Sequence, residues 1–570
     1  MSLNKLPIWI VSLLCLLLMS ACTNETAPTK EEVQPPREEQ EQKVNFDAAI
    51  EKKNTELELA PLELTSYSEE IGAKLTQPTH TNFAVSEFVT IEGSIEQHEQ
   101  VKENFVWIKI QFNGDSLADN TLEYYAPIQN GKFKQQMTLF NGEGDYYITV
   151  MVPSKDRENY YYDLAKFNVF NVNPNLQRDI TYTSFGQEAG LSIQDPDSGY
   201  VNANEVFLLT GKIDTINSPN ETVMLELIKE GQSWKHVLPI KNDEFTYNLP
   251  LFYGKGVHKL KIYVPDKVKE NYYQEGSILY IDNESDFISK PITYTTTYAE
   301  RGVTLSSPTY GGGETNLTYR IKGSIDKDAP FAKETNHLYI TTKKDSDEAL
   351  AVIPVTDYTF DDEFYLRFGP GTYEVTVSVP KIKEKNSAQY FYYHVANFTV
   401  ENTAPEDQRD SLPSRGVQSD SPEIMAIADK LLTDTMSDRD KAKAIYEYTA
   451  KTISYDVKKL KNSEFEWDDS ALKVLNLKTG ICQDYTYLAL ALLRAGGMEA
   501  RYVAGTAGAG FNFSRHAWVE VKVDGEWLTM DPTWGSGYID KGIFVANYTE
   551  DFFEPSEEAF KTHTRQQVEY

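Results

Sequence analysis

Residues 61–402 contain three copies of one internal repeat, and this constrains the fold more than any other feature of the chain. Each copy carries a Gly-x-Ile signature and, further along, a segment that runs from a glycine to a proline nine positions later. These segments are 144–153, 256–265 and 371–380, so their prolines lie 112 and 115 residues apart. A period of this length is that of a whole domain rather than of a solenoid unit.

The pattern within each repeat predicts β-structure. Short apolar and polar stretches alternate between Gly, Asn, Asp and Pro turns, as is typical of an antiparallel β-sandwich. We therefore predict three tandem all-β, immunoglobulin-like sandwiches at residues 61–173, 174–289 and 290–402. These residues contain no cysteine, which excludes the Cys-Trp-Cys framework of an antibody-type domain.

A cluster of aromatic residues follows the Gly-to-Pro segment in each copy, at 160–162, 272–273 and 390–393. Such rings can stack on sugars, which would make cell-wall components a partner of the sandwiches. The simpler interpretation is that the rings pack strand faces and strand ends. We favour it, and the sandwiches are then mainly spacers.

The first residues of the sequence predict export and anchoring. Residues 1–21 have the shape of a signal peptide, with an apolar run too short to span a membrane. The small residues just before Cys22 resemble the bacterial lipobox, which implies lipidation of Cys22 and an anchor at the extracellular face of the cell membrane. The alternative is an ordinary cleaved signal peptide with a chance cysteine. Residues 22–60 are rich in Glu, Lys, Gln, Thr and Pro and predict a disordered tether, with room for a short helix at 46–59.

Charge and cysteine content limit the classes of partner. The net charge is −31 and no basic patch is evident, which argues against nucleic acid as a partner. With Cys15 in the signal peptide and Cys22 lipidated, Cys482 is left as the only free thiol, so we expect no disulfide. No metal-ligand spacing appears, and we expect neither a metal nor a cofactor.

Cys482 is the candidate nucleophile. It begins an apolar stretch that continues to Ala495 and is followed by Gly496, which predicts a buried helix with Cys482 at its N-terminus. The helix dipole and the free N–H groups there favour a thiolate. Cys482 could instead be a buried structural thiol, but His and Asp motifs downstream favour catalysis.

A predicted hairpin brings those motifs together. Two alternating stretches, His516–Val523 and Glu526–Asp531, flank Asp524-Gly525, which is a strong signal for a two-residue turn. If Val523 faces Glu526, Asp531 becomes the diagonal neighbour of His516, ~7–8 Å away on the same face. A slip of one residue would move Asp531 to the opposite face. Cys, His and Asp in this order can form the nucleophile, base and orienter of a papain-type site.

These motifs are similar to those of the transglutaminase-like superfamily, in its bacterial extracellular branch. The matching motifs are Gly-Ile-Cys-Gln-Asp-Tyr at 480–485, Arg-Tyr-Val at 501–503, His-Ala-Trp-Val-Glu-Val at 516–521 and Asp-Pro-Thr-Trp at 531–534. The resemblance covers the last quarter of the chain. It implies a papain-like α+β domain at 421–570, with Cys482 as nucleophile, His516 as base and Asp531 as orienter. The superfamily includes cross-linking acyltransferases, proteases, amidases and inactive members, so it implies a mechanism class and not a substrate.

Several further features of this domain can be predicted. Residues 403–420 are polar and contain proline, as expected of a linker, and Ser421 can cap the helix that follows. His563 is not favoured as the base, because no strand motif surrounds it. The Gly-rich segment 505–514 predicts a loop, either one that covers the site or a plain surface connection.

An oxyanion hole needs two donors. The backbone N–H of Cys482 is one candidate. The side chains of Gln483, Tyr455 and Trp467 are candidates for the second.

The sequence thus predicts surface-anchored, cysteine-dependent acyl transfer on protein or peptide amides through a thioester. With water as acceptor the protein is a protease or amidase, and with a lysine it is a cross-linking transglutaminase. One alternative is a non-enzymatic surface scaffold that retains the fold. Another is a cell-wall protein whose sandwiches bind glycan.

Overall fold

The computed structural model describes residues 45–214, 222–269, 272–382, 391–509 and 512–570. The predicted signal peptide, Cys22 and most of the predicted tether lie outside these ranges. Helix α1 (Asp47–Glu56) lies within residues 46–59, where the sequence left room for a short helix in the tether. Its Ala, Glu and Lys residues have high helix propensity. No helix within the described ranges is both long and apolar enough to cross a membrane.

The first sandwich packs a three-stranded sheet against a five-stranded one. Its elements are α2 (Tyr67–Ile71), β1 (Ala73–Gln77), β2 (Asn82–Val85), β3 (Phe88–Ile95), a 3-10 turn (His98–Gln100), β4 (Phe105–Phe112), β5 (Thr121–Pro127), β6 (Lys132–Thr138), β7 (Gly144–Pro153) and β8 (Tyr161–Asn171). The sheet orders are β1-β3-β6 and β2-β8-β7-β4-β5. The β2–β8 pair is parallel. Alternate residues of each strand face one shared apolar core.

The second sandwich repeats this plan, and so does the third with one added strand. The second contains α3 (Ser184–Glu188), β9 (Leu191–Asp195), β10 (Tyr200–Ala203), β11 (Val206–Ile213), β12 (Thr222–Lys229), β13 (Gln232–Pro239), β14 (Glu244–Pro250), β15 (Gly256–Pro265) and β16 (Tyr273–Asn283). The third contains β17 (Thr293–Tyr294), α4 (Thr296–Glu300), β18 (Val303–Ser307), β19 (Gly313–Thr315), β20 (Thr318–Ile325), β21 (His337–Lys344), β22 (Asp347–Pro354), β23 (Thr359–Tyr365), β24 (Gly371–Pro380) and β25 (Tyr392–Asn402). The equivalent sheets are β9-β11-β14 with β10-β16-β15-β12-β13, and β18-β20-β23 with β25-β24-β21-β22, where β17 and β19 also pair with β25. Each sandwich has a separate core.

Close packing explains the glycine of the repeat signature. A Cβ atom on Gly93 would lie 2.3 Å from the carbonyl oxygen of Lys74 and 2.6 Å from the ring of Phe133. Gly211 and Gly323 have the same two kinds of neighbour, a backbone carbonyl and a Phe ring. The signature therefore marks the point where a strand passes between another strand and an aromatic ring, with no room for a side chain.

The aromatic clusters pack within their own repeats. Tyr161 meets Trp107 edge-on at 5.7 Å. A basic side chain also lies over an aromatic ring in each copy: Arg157 over Tyr160 at 4.0 Å, Lys269 over Tyr272 at 5.1 Å and Lys381 over Phe391 at 5.8 Å. These cation–π contacts cover one face of each ring, while Tyr160, Tyr272 and Phe391 are 39–58% exposed. Packing rather than sugar stacking therefore stays a prediction.

A common connector follows each sandwich. The last residue of each final strand is a buried asparagine (Asn171, Asn283 or Asn402), and its amide donates to the carbonyl oxygen of a loop glycine at 2.9 Å. A basic residue stands seven positions later in each case, at Arg178, Lys290 and Arg409. Arg178 bonds carbonyls of the first sandwich and lies over Tyr280 of the second. Arg409 pairs with Asp347 of the third sandwich and lies over Tyr570 of the C-terminal domain.

The predicted linker, 403–420, is ordered and packed. Arg494 is only 6% exposed, and its guanidinium donates to the carbonyl oxygens of Asp410 at 3.1 Å and Leu412 at 2.8 Å. Arg367 of the third sandwich donates to the carbonyl of Arg409 at 3.2 Å. Val417 belongs to the core of the C-terminal domain. Buried groups on both sides therefore hold this segment against its two neighbours.

The C-terminal domain is α+β. Its elements are α5 (Pro422–Leu431), α6 (Asp438–Thr452), β26 (Ser454–Tyr455), α7 (Val457–Asn462), α8 (Ala471–Leu477), β27 (Thr479–Gly480), α9 (Cys482–Ala495), β28 (Ala500–Ala509), β29 (Asn512–Val523), β30 (Glu526–Met530), α10 (Pro532–Ser536), β31 (Gly537–Asp540), β32 (Ile543–Ala546), α11 (Glu557–Phe560) and β33 (His563–Glu569). Helix α9 packs on the antiparallel sheet β30-β29-β28-β33. Ser421 caps α5 as predicted, since its hydroxyl accepts from the N–H of Ile424 at 3.2 Å. The predicted fold class, three sandwiches followed by an α+β domain, is confirmed.

Candidate active site

Cys482 occupies the first position of α9, and the predicted span of this helix is confirmed. The buried carboxylate of Asp484 accepts from the N–H of Ile481 at 2.8 Å and pairs with Lys459 at 2.9 Å. A Cβ on Gly480 would lie 2.5 Å from the Cβ of Asp484, so only glycine fits beside this cap. These contacts therefore restrict the backbone conformation of the residues just before α9. The partly exposed Cys482 lies among the free N–H groups of the first turn.

The predicted hairpin register is confirmed. Val523 pairs with Glu526 and Val519 pairs with Met530, where the ladder ends. Asp531 turns out of the strand and becomes the N-cap of α10. Its Oδ2 lies 2.7 Å from Nε2 of His516.

The carboxylate of Asp531 is completely buried, and it accepts four hydrogen bonds. Oδ1 accepts from the backbone N–H groups of Thr533 at 2.9 Å and Trp534 at 3.2 Å. Oδ2 accepts from Nε2 of His516 at 2.7 Å and from Nε2 of His563 at 3.1 Å. Burial alone would raise the pKa of this carboxyl group. The charge of His516 and the hydrogen bonds of both histidines outweigh it and hold the pKa of Asp531 well below its usual range.

His516 connects the carboxylate to the sulfur. Its Nε2 is used by Asp531, and the ring also hydrogen-bonds Cys482, which leaves Nδ1 as the atom that faces the sulfur. Burial lowers the pKa of His516, but the charge and hydrogen bond of Asp531, together with Cys482, raise it to about 10. The arrangement favours an imidazolium at His516, beside the Asp531 carboxylate. The structure thus brings the three predicted residues together, while their catalytic roles stay a prediction.

The sequence disfavoured His563 as the base but did not predict that this residue belongs to the site. Strand β33 pairs with β28, with Ala507 opposite His563, so the fully buried His563 reaches Asp531. Residues 564–567 are all polar, so no apolar alternation marks this strand. The only available signal was that the domain contains just two histidines.

The Gly-rich segment 505–514 is not a loop over the site. Its described residues belong to the paired strands β28 and β29. A Cβ on Gly505 would lie 2.2 Å from the carbonyl oxygen of Thr564 and 2.6 Å from the ring of Trp518. A side chain at position 505 would therefore clash with β33 and with the indole of Trp518, which explains the glycine.

The structure brings two of the three predicted oxyanion donors to Cys482. Gln483 is the next residue of α9, and its Nε2 is buried without a hydrogen-bond partner among the described residues. Tyr455 pairs across from Gly480, and its pKa is raised by burial and then by the charge of Cys482. Trp467 instead stacks on His337 of the third sandwich, with 4.7 Å between ring centroids and 11° between planes. The indole of Trp467 thus helps to form the domain interface.

Two histidines and one carboxylate also form a set that can bind a metal. His516, Asp531 and His563 each offer one ligand atom, and these atoms lie within 4.8 Å of one another. Zinc and iron(II) accept such ligands. The N···O distances of 2.7 and 3.1 Å are those of hydrogen bonds. Nδ1 of His563 also lies 3.1 Å from the Thr562 hydroxyl. A metal ion bound by these three residues would therefore have to displace the protons of hydrogen bonds that are already formed.

Comparison with known families agrees with this geometry. Residues 425–532 match the family model described as the Transglutaminase-like superfamily. The matched range contains Cys482, His516 and Asp531. The C-terminal part of the chain is therefore a transglutaminase-like domain.

Two curated relatives and one solved structure show the extent of the similarity. Kyphoscoliosis peptidase from Mus musculus is 30% identical over 136 residues, which are 22% of this chain and 20% of that protein. The uncharacterized protein YebA from Bacillus subtilis (strain 168) is 25% identical over 206 residues, which are 32% of this chain and 25% of that protein. The chain thus covers a quarter or less of the length of these relatives. The periplasmic domain of TgpA from Pseudomonas aeruginosa is 19% identical over 38% of this chain and 88% of that chain, with a TM-score of 0.19.

Proposed function

We propose that this protein is a cell-surface cysteine acyltransferase that acts on protein or peptide amides through a thioester. The observation that carries the proposal is the unbroken line of contacts from Cys482 through His516 to Asp531. Within that line the two partners are buried and the cysteine is partly exposed. A nucleophile, a base and a group that orients the base are what acyl transfer requires.

The reaction divides into two halves. In the first, the Cys482 thiolate attacks the carbonyl carbon of an amide, and the C–N bond breaks as the leaving amine takes a proton from the His516 imidazolium. The acyl group stays on sulfur as a thioester. In the second half, water or a primary amine attacks the thioester carbon, His516 takes its proton, and the C–S bond breaks. Asp531 remains ionised and balances the imidazolium charge.

The negative charge on the attacked oxygen needs donors. One is the backbone N–H of Cys482 at the start of α9. The second is the Nε2 of Gln483, because a buried donor without a partner is costly unless a ligand uses it. The Tyr455 hydroxyl is the other candidate, since Tyr455 also lies near Cys482.

The acyl acceptor defines the reaction class. One relative is named a peptidase, which supports water as the acceptor. Incubation of the protein with casein and a fluorescent primary amine separates the outcomes. Shortened casein indicates hydrolysis of peptide bonds, and fluorescent casein indicates transfer to amines.

In this proposal the anchor is a lipid on Cys22, and in the sequence the three sandwiches come between Cys22 and the catalytic domain. The signal-peptide shape of residues 1–21 and the Ser-Ala-Cys sequence at 20–22 support this arrangement. In a bacterial host, the wild-type protein is expected to partition into detergent, and Cys22→Ser into the aqueous phase. Retention of Cys22→Ser in the detergent phase would contradict a lipid anchor.

The central test is the alkylation of Cys482 by iodoacetamide, followed on the Cys482 peptide by mass spectrometry. A thiolate–imidazolium pair labels rapidly even at pH ~6, and His516→Ala loses this reactivity. His80→Ala, a change at an exposed histidine of the first sandwich, is the matched control. Slow labelling that rises only near pH ~8.5, as for a free thiol, and equally in His516→Ala, would favour the alternative of a non-enzymatic scaffold.

A further inference from the structure

We infer that His563 is a positioning residue of this site, whose Nε2–H group holds the Asp531 carboxylate in the orientation that serves His516. The inference rests on the proposed function, because His563 acts through Asp531 and not on a substrate.

The contacts of His563 define its tautomer. Its side chain is fully buried, with Nε2 3.1 Å from Oδ2 of Asp531 and Nδ1 3.1 Å from the hydroxyl of Thr562. An ionised carboxylate can only accept, so Nε2 must carry a hydrogen. The Thr562 hydroxyl can donate to Nδ1. A neutral ring with its proton on Nε2 satisfies both contacts.

The ring of His563 is also immobilised. Phe560 of α11 stacks on it with 3.9 Å between centroids and 5° between planes. Trp534 of α10 lies at 4.5 Å, and Trp518 of β29 meets the ring edge-on at 5.4 Å. Aromatic groups from three separate elements thus fix the direction of the Nε2–H bond.

This fixed donor completes the restraint on Asp531. The terminal torsion of an aspartate is broad, and the two backbone N–H groups at Thr533 and Trp534 hold only Oδ1. His563 occupies one side of Oδ2, so the remaining lone pair faces His516. The two imidazoles flank this oxygen with 5.4 Å between ring centroids. With Oδ2 fixed, His516 is held with its Nδ1 toward Cys482.

His563 is not an alternative base. Its Nδ1 contacts Thr562 and its Nε2 contacts Asp531, so neither nitrogen faces the sulfur. If zinc were bound by His516, Asp531 and His563, His563 would be a metal ligand and not a hydrogen-bond donor to Asp531. Elemental analysis of the purified protein decides this, and one equivalent of tightly bound metal would overturn the inference.

The main experiment compares His563→Phe with His563→Gln in the full chain. Phe keeps an aromatic ring against Phe560 but removes the donor, whereas Gln keeps an N–H donor but loses the stacking. We measure alkylation of Cys482 near pH ~7 and the kcat and KM for p-nitrophenyl acetate, a general acyl donor. Because misplaced catalytic groups can cost about a hundredfold in rate, we expect His563→Phe to lose about tenfold or more in kcat and alkylation rate, with KM little changed. His563→Gln should retain most of the wild-type rate.

A purely structural role gives the opposite order, because Phe preserves the packing better than Gln. If His563→Phe reacts as fast as the wild type or faster than His563→Gln, the inference is overturned. If the wild type labels no faster than His516→Ala, the proposed function itself fails, and the inference with it. The two failures are therefore distinguishable.

A measurement on the wild type covers the case in which His563→Phe does not fold. Imidazole ¹⁵N spectra report which nitrogen of each histidine carries the proton. A neutral Nε2–H ring, assigned to position 563 by its absence from His563→Gln, supports the inference. A neutral ring with its proton on Nδ1 at position 563 would overturn it, because Nε2 would then carry no hydrogen for Asp531.

Discussion

Asp531 stands one position beyond the last paired residue of the β29–β30 hairpin, yet its Oδ2 lies 2.7 Å from Nε2 of His516. Because the ladder ends at Met530, Asp531 is free to turn and cap α10 with its other oxygen. One carboxylate thus starts a helix and orients a histidine.

Replacement of Asp531 by Asn should slow alkylation of Cys482 severely. The amide removes the charge that raises the pKa of His516, and it cannot accept four hydrogen bonds with an NH₂ group on one side. Comparable changes in catalytic triads cost roughly 10⁴-fold in kcat, so we expect a loss of roughly 10²–10⁴-fold. Asp540→Asn, at an exposed position, is the control and should have no effect. Unchanged reactivity of Asp531→Asn would remove Asp531 from the mechanism.

The contribution of His516 to stability should depend on pH in a defined direction. Its folded pKa is raised to about 10, whereas the unfolded value is about 6.5. The stabilisation is therefore complete below the unfolded pKa and is lost as the pH rises through the folded pKa. Hydrogen exchange of the α9 amides should show a difference between wild type and His516→Ala that shrinks between pH ~6.5 and ~10. A difference that grows over this range would contradict the assignment.

The contribution of Asp531 to the stability of the fold should depend on pH in the acidic range. Its folded pKa is depressed, so its contribution is present above the unfolded value of about 3.9 and is lost as the pH falls through the folded pKa. We expect Asp531→Asn to destabilise α9 most near neutral pH and progressively less under acidic conditions, measured by the same exchange experiment. An equal effect of the variant at all pH values would mean that shape, rather than charge, accounts for its contribution.

Gly480→Ala should disturb the start of α9. The new methyl group would lie 2.5 Å from the Cβ of Asp484, and overpacking of this kind costs about 1–3 kcal/mol. The displaced Asp484 would release the N–H of Ile481 and move Cys482, so alkylation should slow together with the loss of stability. Gly313→Ala, where the nearest atom is 4.0 Å away, should be neutral. Equal behaviour of the two variants would show that the helix start tolerates movement.

Arg494→Met should loosen residues 403–420. The guanidinium donates to the carbonyls of Asp410, Leu412 and Ala500, and each buried carbonyl left without a donor costs about 1–3 kcal/mol. Limited proteolysis should therefore cut this segment in Arg494→Met and leave it intact in the exposed control Lys430→Met. Equal resistance of the two variants to the protease would mean that the other contacts of residues 403–420 are sufficient to hold this segment in place.

Much of the fold and part of the site follow from local sequence patterns. Repeat signatures, strand alternation and a two-residue turn were enough to predict the sandwiches and the register that places Asp531 on the His516 side. His563 could not be predicted, because a polar strand gives no sign that it pairs with the far edge of β28. Nor could the position of Trp467, whose partner His337 is 130 residues away. The ordered conformation of residues 403–420 depends on Arg367 and Arg494, which belong to the neighbouring domains.

The three connectors share an asparagine and a basic residue at the same spacing, so copies of the sandwich can be exchanged as whole units. A buried asparagine ends each sandwich and a basic residue, Arg or Lys, stands seven positions later, so the transglutaminase-like domain is attached where a fourth sandwich would otherwise begin. Insertion or deletion of whole copies would keep an asparagine and a basic residue at every joint. The number of sandwiches before the C-terminal domain can thus change in steps of one, while the residues of the candidate site stay the same.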